Sequence, residues 1–203
     1  MSFDEEYLQN KMHWTRPDER IIEWLEGVPT GRALDLGAGE GGNSFWLAQQ
    51  GWSVTSVDFS PVAVQFIEQH SREKGYSIET EVADALKYKG EGKFDLILLS
   101  FMHFSKEERG TLFSRLEKQL EEGGLLVYLG LIKTEEELPP GGLLDEFPSS
   151  EKVVEEMKSL PSLVVLNLGD QVRELPIGIA EGTYVAKTAS VIVRKERGHV
   201  GTI

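Results

Sequence analysis

The sequence predicts an α/β protein built on a doubly wound, mostly parallel sheet of seven strands that closes with an antiparallel hairpin. Three observations predict it. Short β-branched or apolar runs alternate with helix-length segments from residue 17 to residue 130, the beat of strand–helix–strand units with right-handed crossovers. The stretch "FDLILLSF", residues 94–101, is a near-continuous apolar run, as expected of a central parallel strand covered on both faces. Two β-rich runs, "LVVLNL" and "TYVAKTASVIVRKE", end the chain with no helix between them, which reads as an antiparallel pair joined by a loop.

The elements follow in order. "PDERIIEWLEGV", 17–28, predicts an amphipathic helix. Pro17 suits its first position, Asp18 and Glu19 its positive end, and Gly27 its stop. Arg32–Leu36 predicts a short buried strand, 41–50 a helix stopped by Gly51, and "WSVTSVD", 52–58, an alternating strand. Ser60 and Pro61 read as N-cap and first residue of a helix ending near Gly75. "YSIETEVAD", 76–84, is the next strand. Ser105 and Glu108 have capping-box spacing and open a helix to about Glu122. "GLLVYLG", 124–130, is a strand. A Pro/Gly-rich acidic loop, 133–149, and a helix near 150–159 precede the final pair.

The 203 residues favour a single domain over 1–203, large enough for a substantial core. Residues 1–30 form an N-terminal cap segment, and 133–149 is a possible lid, since long loops in compact domains are often functional. There are no cysteines, which removes disulfides, thiolate metal sites and cysteine nucleophiles. No histidine pair or carboxylate cluster has metal-ligand spacing, so no metal is expected. No segment approaches the roughly 20 apolar residues that span a membrane, and the acidic start "MSFDEEYLQN" lacks a signal core. A cytoplasmic location is expected. The net charge is −13, with 21 basic against 34 acidic residues, a poor balance for neutralising phosphates. The expected partner is a small molecule rather than nucleic acid or membrane; oligomeric state is not legible.

The most informative stretch is "RALDLGAGEGG", 32–42. Gly37, Gly39 and Gly42 fit G-x-G-x-x-G between a strand and a helix, where bare backbone approaches a nucleotide-type ligand at a helix N-terminus. Asp58 ends the next strand, 23 residues after Asp35, where a carboxylate accepts hydrogen bonds from ribose hydroxyls. Between Arg32 and Arg72 stand four acids, Asp35, Glu40, Asp58 and Glu68, and no lysine or arginine. Glu40 is equally a cap of the following helix. Such surroundings repel a pyrophosphate, and the lysine and hydroxyl of an ATP-binding loop are missing. S-adenosylmethionine, with a cationic sulfonium and ammonium, suits the charges better. An NAD-dependent oxidoreductase on a similar sheet and a non-catalytic cofactor-binding protein remain the alternatives.

The segment "ALDLGAGEGGNSFWLAQQGWSVTSVDFSPVAV" resembles the first motifs of class I S-adenosylmethionine-dependent methyltransferases, and the opening "HWTRPDERIIEWLEGVPTGRALDLGAGEGGN" resembles their small tellurite-resistance and thiol-type branch. The resemblance implies the Rossmann-like methyltransferase fold and these contacts: Asp35, Gly37, Ala38 and Gly39 around the methionine moiety, Asp58 on the ribose, and Phe59 against the adenine. It further implies Asp84 and Ala85 at the adenine-reading position and Ser100 beside the methyl group. Asp84 otherwise reads as a helix cap or loop residue, and Phe59 as core. The Asn/Asp-Pro-Pro-aromatic tetrapeptide of exocyclic-amine methyltransferases is absent; that site reads "SFMH".

Acceptor contacts are expected near the C-terminal sheet edge. The cluster Phe101, Met102, His103 and Phe104 follows the fourth strand, and His103 is the candidate general base; its other reading is a backbone-bonded or packing loop histidine. Tyr7, His13, Trp14 and Arg16 lie on the cap segment, with Tyr7, Trp14, Arg16 and Phe104 as candidate substrate contacts. Arg16 otherwise reads as a solvated charge.

Overall fold

The structure, a computed structural model, describes residues 15–176 and 182–196. Seven strands form one sheet: β1 (Arg32–Leu36), β2 (Ser53–Asp58), β3 (Ile78–Val82), β4 (Phe94–Ser100), β5 (Leu120–Ile132), β6 (Leu163–Pro176) and β7 (Thr183–Lys195). Their order is β3-β2-β1-β4-β5-β7-β6. The first five are parallel, and β7 runs antiparallel to both β5 and β6. The chain winds outward from β1 through β2 to β3, then returns to the other side of β1 with β4. The switch point between β1 and β4 leaves a crevice outside the carboxyl ends of the strands, where ligands of open α/β sheets bind.

Among the described residues five helices cover the sheet: α1 (Glu19–Leu25), α2 (Gly42–Gln49), α3 (Pro61–Lys74), α4 (Lys106–Gln119) and α5 (Ser150–Met157). On one face Ile21 and Leu25 of α1 and Leu47 of α2 pack with Ala33, Leu96, Leu98, Val127 and Leu129. On the other, Leu112, Phe113 and Leu116 of α4 and Val153 and Met157 of α5 pack with Leu34, Leu36, Ile97, Leu99 and Tyr128. Both faces of β1 and β4 are therefore covered beyond the exposed Arg32 and Asp95, which explains their lack of apolar–polar alternation.

Local chemistry sets the helix ends. Ser60 accepts from Ala63 N ahead of Pro61, and Gly75 closes α3 at φ +72°. Ser105 and Glu108 form the expected capping box. Three boundaries differ from the sequence reading. α1 is shorter than 17–28, because Asp18 is its N-cap, accepting from Arg20 N, and Pro17 precedes the helix. α4 stops at Gln119 instead of near Glu122, and β5 begins at Leu120, opposite Phe94. The next partners are Leu96 and Leu125, so a bulge around Gly123, at φ +87°, absorbs the polar "EEGG". Finally, β6 continues past residue 168 to Pro176. Its distal half is polar because an edge strand beyond the core is held by its ladder to β7, not by burial. The 133–149 segment contains two short 3-10 turns, Glu135–Glu137 and Leu144–Glu146.

Candidate functional site

The glycine turn sits at the end of β1, in the switch-point crevice. Gly37 and Ala38 donate to the Val57 carbonyl at 2.8 and 3.0 Å, and Gly41 donates to the Ala38 carbonyl at 2.9 Å. Gly37, Gly39 and Gly41 take φ of +76°, +54° and +82°, a region that penalises any residue bearing a Cβ. The α2 N-cap is Gly41, which has no side chain to cap the helix.

Two carboxylates lie behind the turn. Asp58, at the end of β2, accepts from Gly39 N and from Ser60 N, both at 2.9 Å. It braces the turn from below and is 5% exposed. Asp35 is buried. One of its oxygens accepts from Ser44 Oγ at 2.6 Å, Ser56 Oγ in turn donates to Ser44 Oγ at 2.6 Å, and the other oxygen, Oδ1, has no partner. Desolvation, opposed by the Ser44 hydrogen bond and aided by the nearby Asp58 charge, pushes its pKa up to about 6. A buried anion short of a hydrogen-bond partner favours a cation in the crevice above it.

The remaining cofactor candidates ring the same edge. Phe59 follows Asp58 and is 53% exposed, so the core reading of this ring does not hold. Asp84 follows β3; it accepts from Leu86 N at 2.9 Å and pairs with Lys87 at 3.0 Å. The Lys87 and Leu86 bonds hold its pKa below the usual carboxylate range. Ala85 is buried, and Arg115 donates to the carbonyls of Ala85 and Leu86. Ser100 Oγ ends β4 and accepts from Asn43 Nδ2 at 3.3 Å.

Past Ser100 the chain makes a turn that the sequence did not announce. Phe101 has φ +54°, the one non-glycine residue with positive φ among those described. A bulky residue there is a backbone outlier, and such strain collects at ligand sites. Its N–H donates to the Leu129 carbonyl at 2.8 Å. The turn swings Met102 over Gly37, with Sδ 2.2 Å from where a Cβ on Gly37 would lie. His103 is exposed at the next position. Its ring lies 4.5 Å from that of Phe147, and Lys133 Nζ lies 4.8 Å from the centre of the Phe147 ring. Desolvation and the Lys133 charge lower the His103 pKa. Phe104 faces the core of the α4–α5 layer, while its carbonyl accepts from Arg109.

Arg109 was not anticipated. It is 1% exposed, donates to Glu156 through Nε and Nη2 at 2.9 and 2.7 Å, and reaches the carbonyls of Phe104 and Asp145. The loop after β4 and the 133–149 segment are therefore fastened to one guanidinium. Arg16 is exposed. Tyr7, His13 and Trp14 lie outside the described residues. An open depression of about 670 Å³ along α4, lined by Ser105, Lys106, Gly110, Thr111, Ser114 and Asp145, involves none of the cofactor candidates. Among the described residues, no group of three acidic or histidine side chains is placed to hold a metal ion, and no helix is long and apolar enough to cross a membrane.

A parallel sheet with a glycine turn at its switch point, an acid closing the adjacent strand and an antiparallel last pair defines the class I methyltransferase architecture. Residues 33–124 match the family model for a methyltransferase domain. That match covers a little under half of the chain, and it likens these residues to methyltransferase domains. The chain is 22% identical over 134 residues to the probable S-adenosyl-L-methionine-dependent methyltransferase TehB of Haemophilus influenzae, covering 65% of this chain and 47% of that protein. It is 30% identical over 123 residues to the 2-heptyl-1-hydroxyquinolin-4(1H)-one methyltransferase of Mycobacteroides abscessus, covering 58% and 50% respectively. The chain thus spans about half the length of these curated relatives. A structure solved in work on conversion of a disulfide bond into a thioacetal group during echinomycin biosynthesis superposes with a TM-score of 0.79 at 20% identity, covering 98% of this chain and 92% of that one. The crystal structure of Haemophilus influenzae TehB gives 0.74 at 20% identity, covering 89% and 63%. The two superpositions show a shared fold.

Proposed function

We propose that the protein transfers the methyl group of S-adenosylmethionine to a small-molecule acceptor, by in-line displacement, in the crevice at the ends of β1 and β4. The observation that carries this is the glycine turn. Its backbone is bare at Gly37, Gly39 and Gly41, and it is backed by two acids, one of them a buried carboxylate with an orphaned oxygen. No lysine or arginine stands between Arg32 and Arg72 to receive a pyrophosphate.

In this reading Asp35, Gly37, Ala38 and Gly39 hold the methionine portion of the cofactor. Asp58, whose carboxylate also accepts from the Gly39 and Ser60 amides, takes the ribose hydroxyls. The exposed ring of Phe59 takes one side of the adenine, Asp84 and Ala85 border its edge, and Ser100 borders the reacting methyl group. When bound, S-adenosylmethionine supplies a methyl group on a positively charged sulfur. What remains for the protein is alignment and exclusion of water, which supply about 7 to 11 kcal/mol in well-oriented reactions.

A base is required only for an acceptor that must lose a proton. His103 is the proposed base. Its depressed pKa leaves the imidazole neutral and able to accept a proton at pH 7. Arg16 and Phe104 are proposed to line the acceptor side. Phe104 contributes through the loop it anchors more than through its core-facing ring. The net charge of −13 and the acidic crevice favour a small molecule over nucleic acid. The name of the Mycobacteroides abscessus relative gives that protein a small heteroaromatic acceptor, in keeping with this reading, and a cytoplasmic setting fits the composition.

Calorimetric titration with S-adenosylhomocysteine and with NADH tests the cofactor assignment; binding of NADH alone would overturn it. A panel of oxygen, nitrogen, sulfur and chalcogen-oxyanion acceptors, read by S-adenosylhomocysteine release, tests the transfer. Cofactor binding without turnover on any acceptor would leave a binding protein, not an enzyme.

A further inference from the structure

The floor of the crevice is tied to the C-terminal hairpin by a continuous chain of hydrogen bonds. Arg173, on β6, grips Asp18 with both ends of its guanidinium, Nη1 to Oδ1 at 2.9 Å and Nη2 to Oδ2 at 2.7 Å. Its Nε donates to Thr188 Oγ1 on β7 at 3.0 Å, which fixes the fork in plane. The pair is largely shielded, with side-chain exposures of 16% and 9%. Asp18 is the N-cap of α1, and its backbone N–H donates to Asn43 Oδ1 at 3.0 Å. The other end of that amide, Nδ2, donates to Ser100 Oγ at 3.3 Å. The Arg173 guanidinium also lies 5.7 Å from the centre of the Phe101 ring, the residue whose strained backbone turns the chain over Gly37.

These contacts join residues up to 155 apart in the sequence, from the edge strand β6 to the N-cap of α1. Each bond sets the next. The bidentate pair is a geometrically demanding contact that a lysine cannot reproduce. It fixes where the Asp18 backbone lies. The Asp18 N–H then settles which end of the Asn43 amide faces Ser100, because an N–H can be accepted only by the oxygen. Asn43 occupies the second position of α2, directly after the glycine turn.

We infer that Arg173 and Asp18 are positioning residues for the cofactor site, acting through Asn43 and Ser100 and through the Phe101 turn. This rests on the cofactor reading above for its consequence, but the relay is measurable without a ligand. Arg173→Met and Asp18→Ser break the grip from either side; the serine retains an oxygen to cap α1 should the first variant fold poorly. In the ligand-free protein, amide exchange should quicken at residues 43–45 and 100–103 in both variants and stay unchanged along β2 and β3. Affinity for S-adenosylhomocysteine should fall about 3- to 30-fold, the range for residues that act through a neighbour. Arg173→Lys should fall between wild type and Arg173→Met in both readouts. Wild-type exchange at 43–45 and 100–103 in both variants overturns the inference, as does affinity within about twofold of wild type. Failure of the wild-type protein to bind S-adenosylhomocysteine refutes the cofactor reading instead, and the exchange comparison then decides the relay by itself.

Discussion

The Met102 side chain fills the space that a Cβ on Gly37 would need, its Sδ only 2.2 Å from that point. The strand-end glycine and the loop after β4 therefore define each other, and the crevice wall begins where the two meet. Gly37→Ala should destabilise the protein by about 1 to 3 kcal/mol, from the left-handed backbone of an L-residue plus the displaced thioether. The cost should shrink in a Met102→Ala background without vanishing, since the backbone penalty at φ +76° remains. Urea denaturation of the four proteins measures both parts. Equal costs in the two backgrounds would mean that Met102 does not rest on Gly37.

Asp58 braces the turn through Gly39 N and Ser60 N and is proposed to hold the ribose. Asp58→Ala should weaken S-adenosylhomocysteine binding by about 1 to 3 kcal/mol, the range for hydrogen bonds to a charged group. Calorimetry reads this directly. Unchanged affinity would remove Asp58 from the cofactor contacts.

The buried Asp35 carboxylate predicts a pH-dependent conflict between stability and binding. Its pKa stands at about 6 in the folded chain against an ordinary 3.8. The folded protein thus holds the proton more tightly than the unfolded one between those values. Stability should fall as pH rises through that window, by roughly 3 kcal/mol for a displacement of this size. Asp35→Asn escapes this loss. Its melting temperature should gain on that of the wild type from pH 4 to pH 7 in the absence of ligand. Affinity of the wild type for the cationic cofactor should rise over the same range, as the carboxylate ionises. A constant gap in melting temperature would show that Asp35 titrates normally.

The glycine turn, its two acids and the alternation of strands with helices were legible because each depends on local signals: G-x-G-x-x-G, an acid at a strand end, and hydrophobic periodicity. Ser60 and Gly75 marked α3 for the same reason. Arg109, Asn43 and Arg173 were not legible, since their roles depend on partners as far as 36, 57 and 155 residues away; Arg109 pairs with Glu156 at 47. Nothing in "FSKEERG" distinguishes the buried Arg109 from a solvated helix charge. The strain at Phe101 is likewise invisible in sequence, because a positive φ normally advertises itself as glycine or asparagine. The distal half of β6 escaped because "GDQVREL" carries no apolar signal on an edge strand.

His103 turns the acceptor question into a kinetic one. Its pKa is lowered by desolvation and by Lys133, so it protonates only below the ordinary histidine value of about 6.5. If it accepts the acceptor's proton, turnover should drop on the acid side of that value and stay flat above it. His103→Ala should slow turnover by about 100-fold or more, leave S-adenosylhomocysteine affinity unchanged, and abolish the acid limb. Wild-type rates across the pH range would exclude it from proton transfer.

Arg109 and Glu156 form a buried pair, with side chains 1% and 8% exposed. The guanidinium spends its other donors on the carbonyls of Phe104 and Asp145. Removing the carboxylate strands a positive charge in the core, where the loss of one partner costs about 3 to 5 kcal/mol. Glu156→Ala should therefore destabilise by that amount, and Glu156→Gln, which keeps one acceptor, by less. The carbonyl contacts give the prediction a local signature. With Arg109 released, protease sensitivity should rise first in the 133–149 segment and in residues 101–105, before the sheet unfolds. A stability loss below about 1 kcal/mol in Glu156→Ala, with no change in the cleavage pattern, would show that the guanidinium does not fasten those loops.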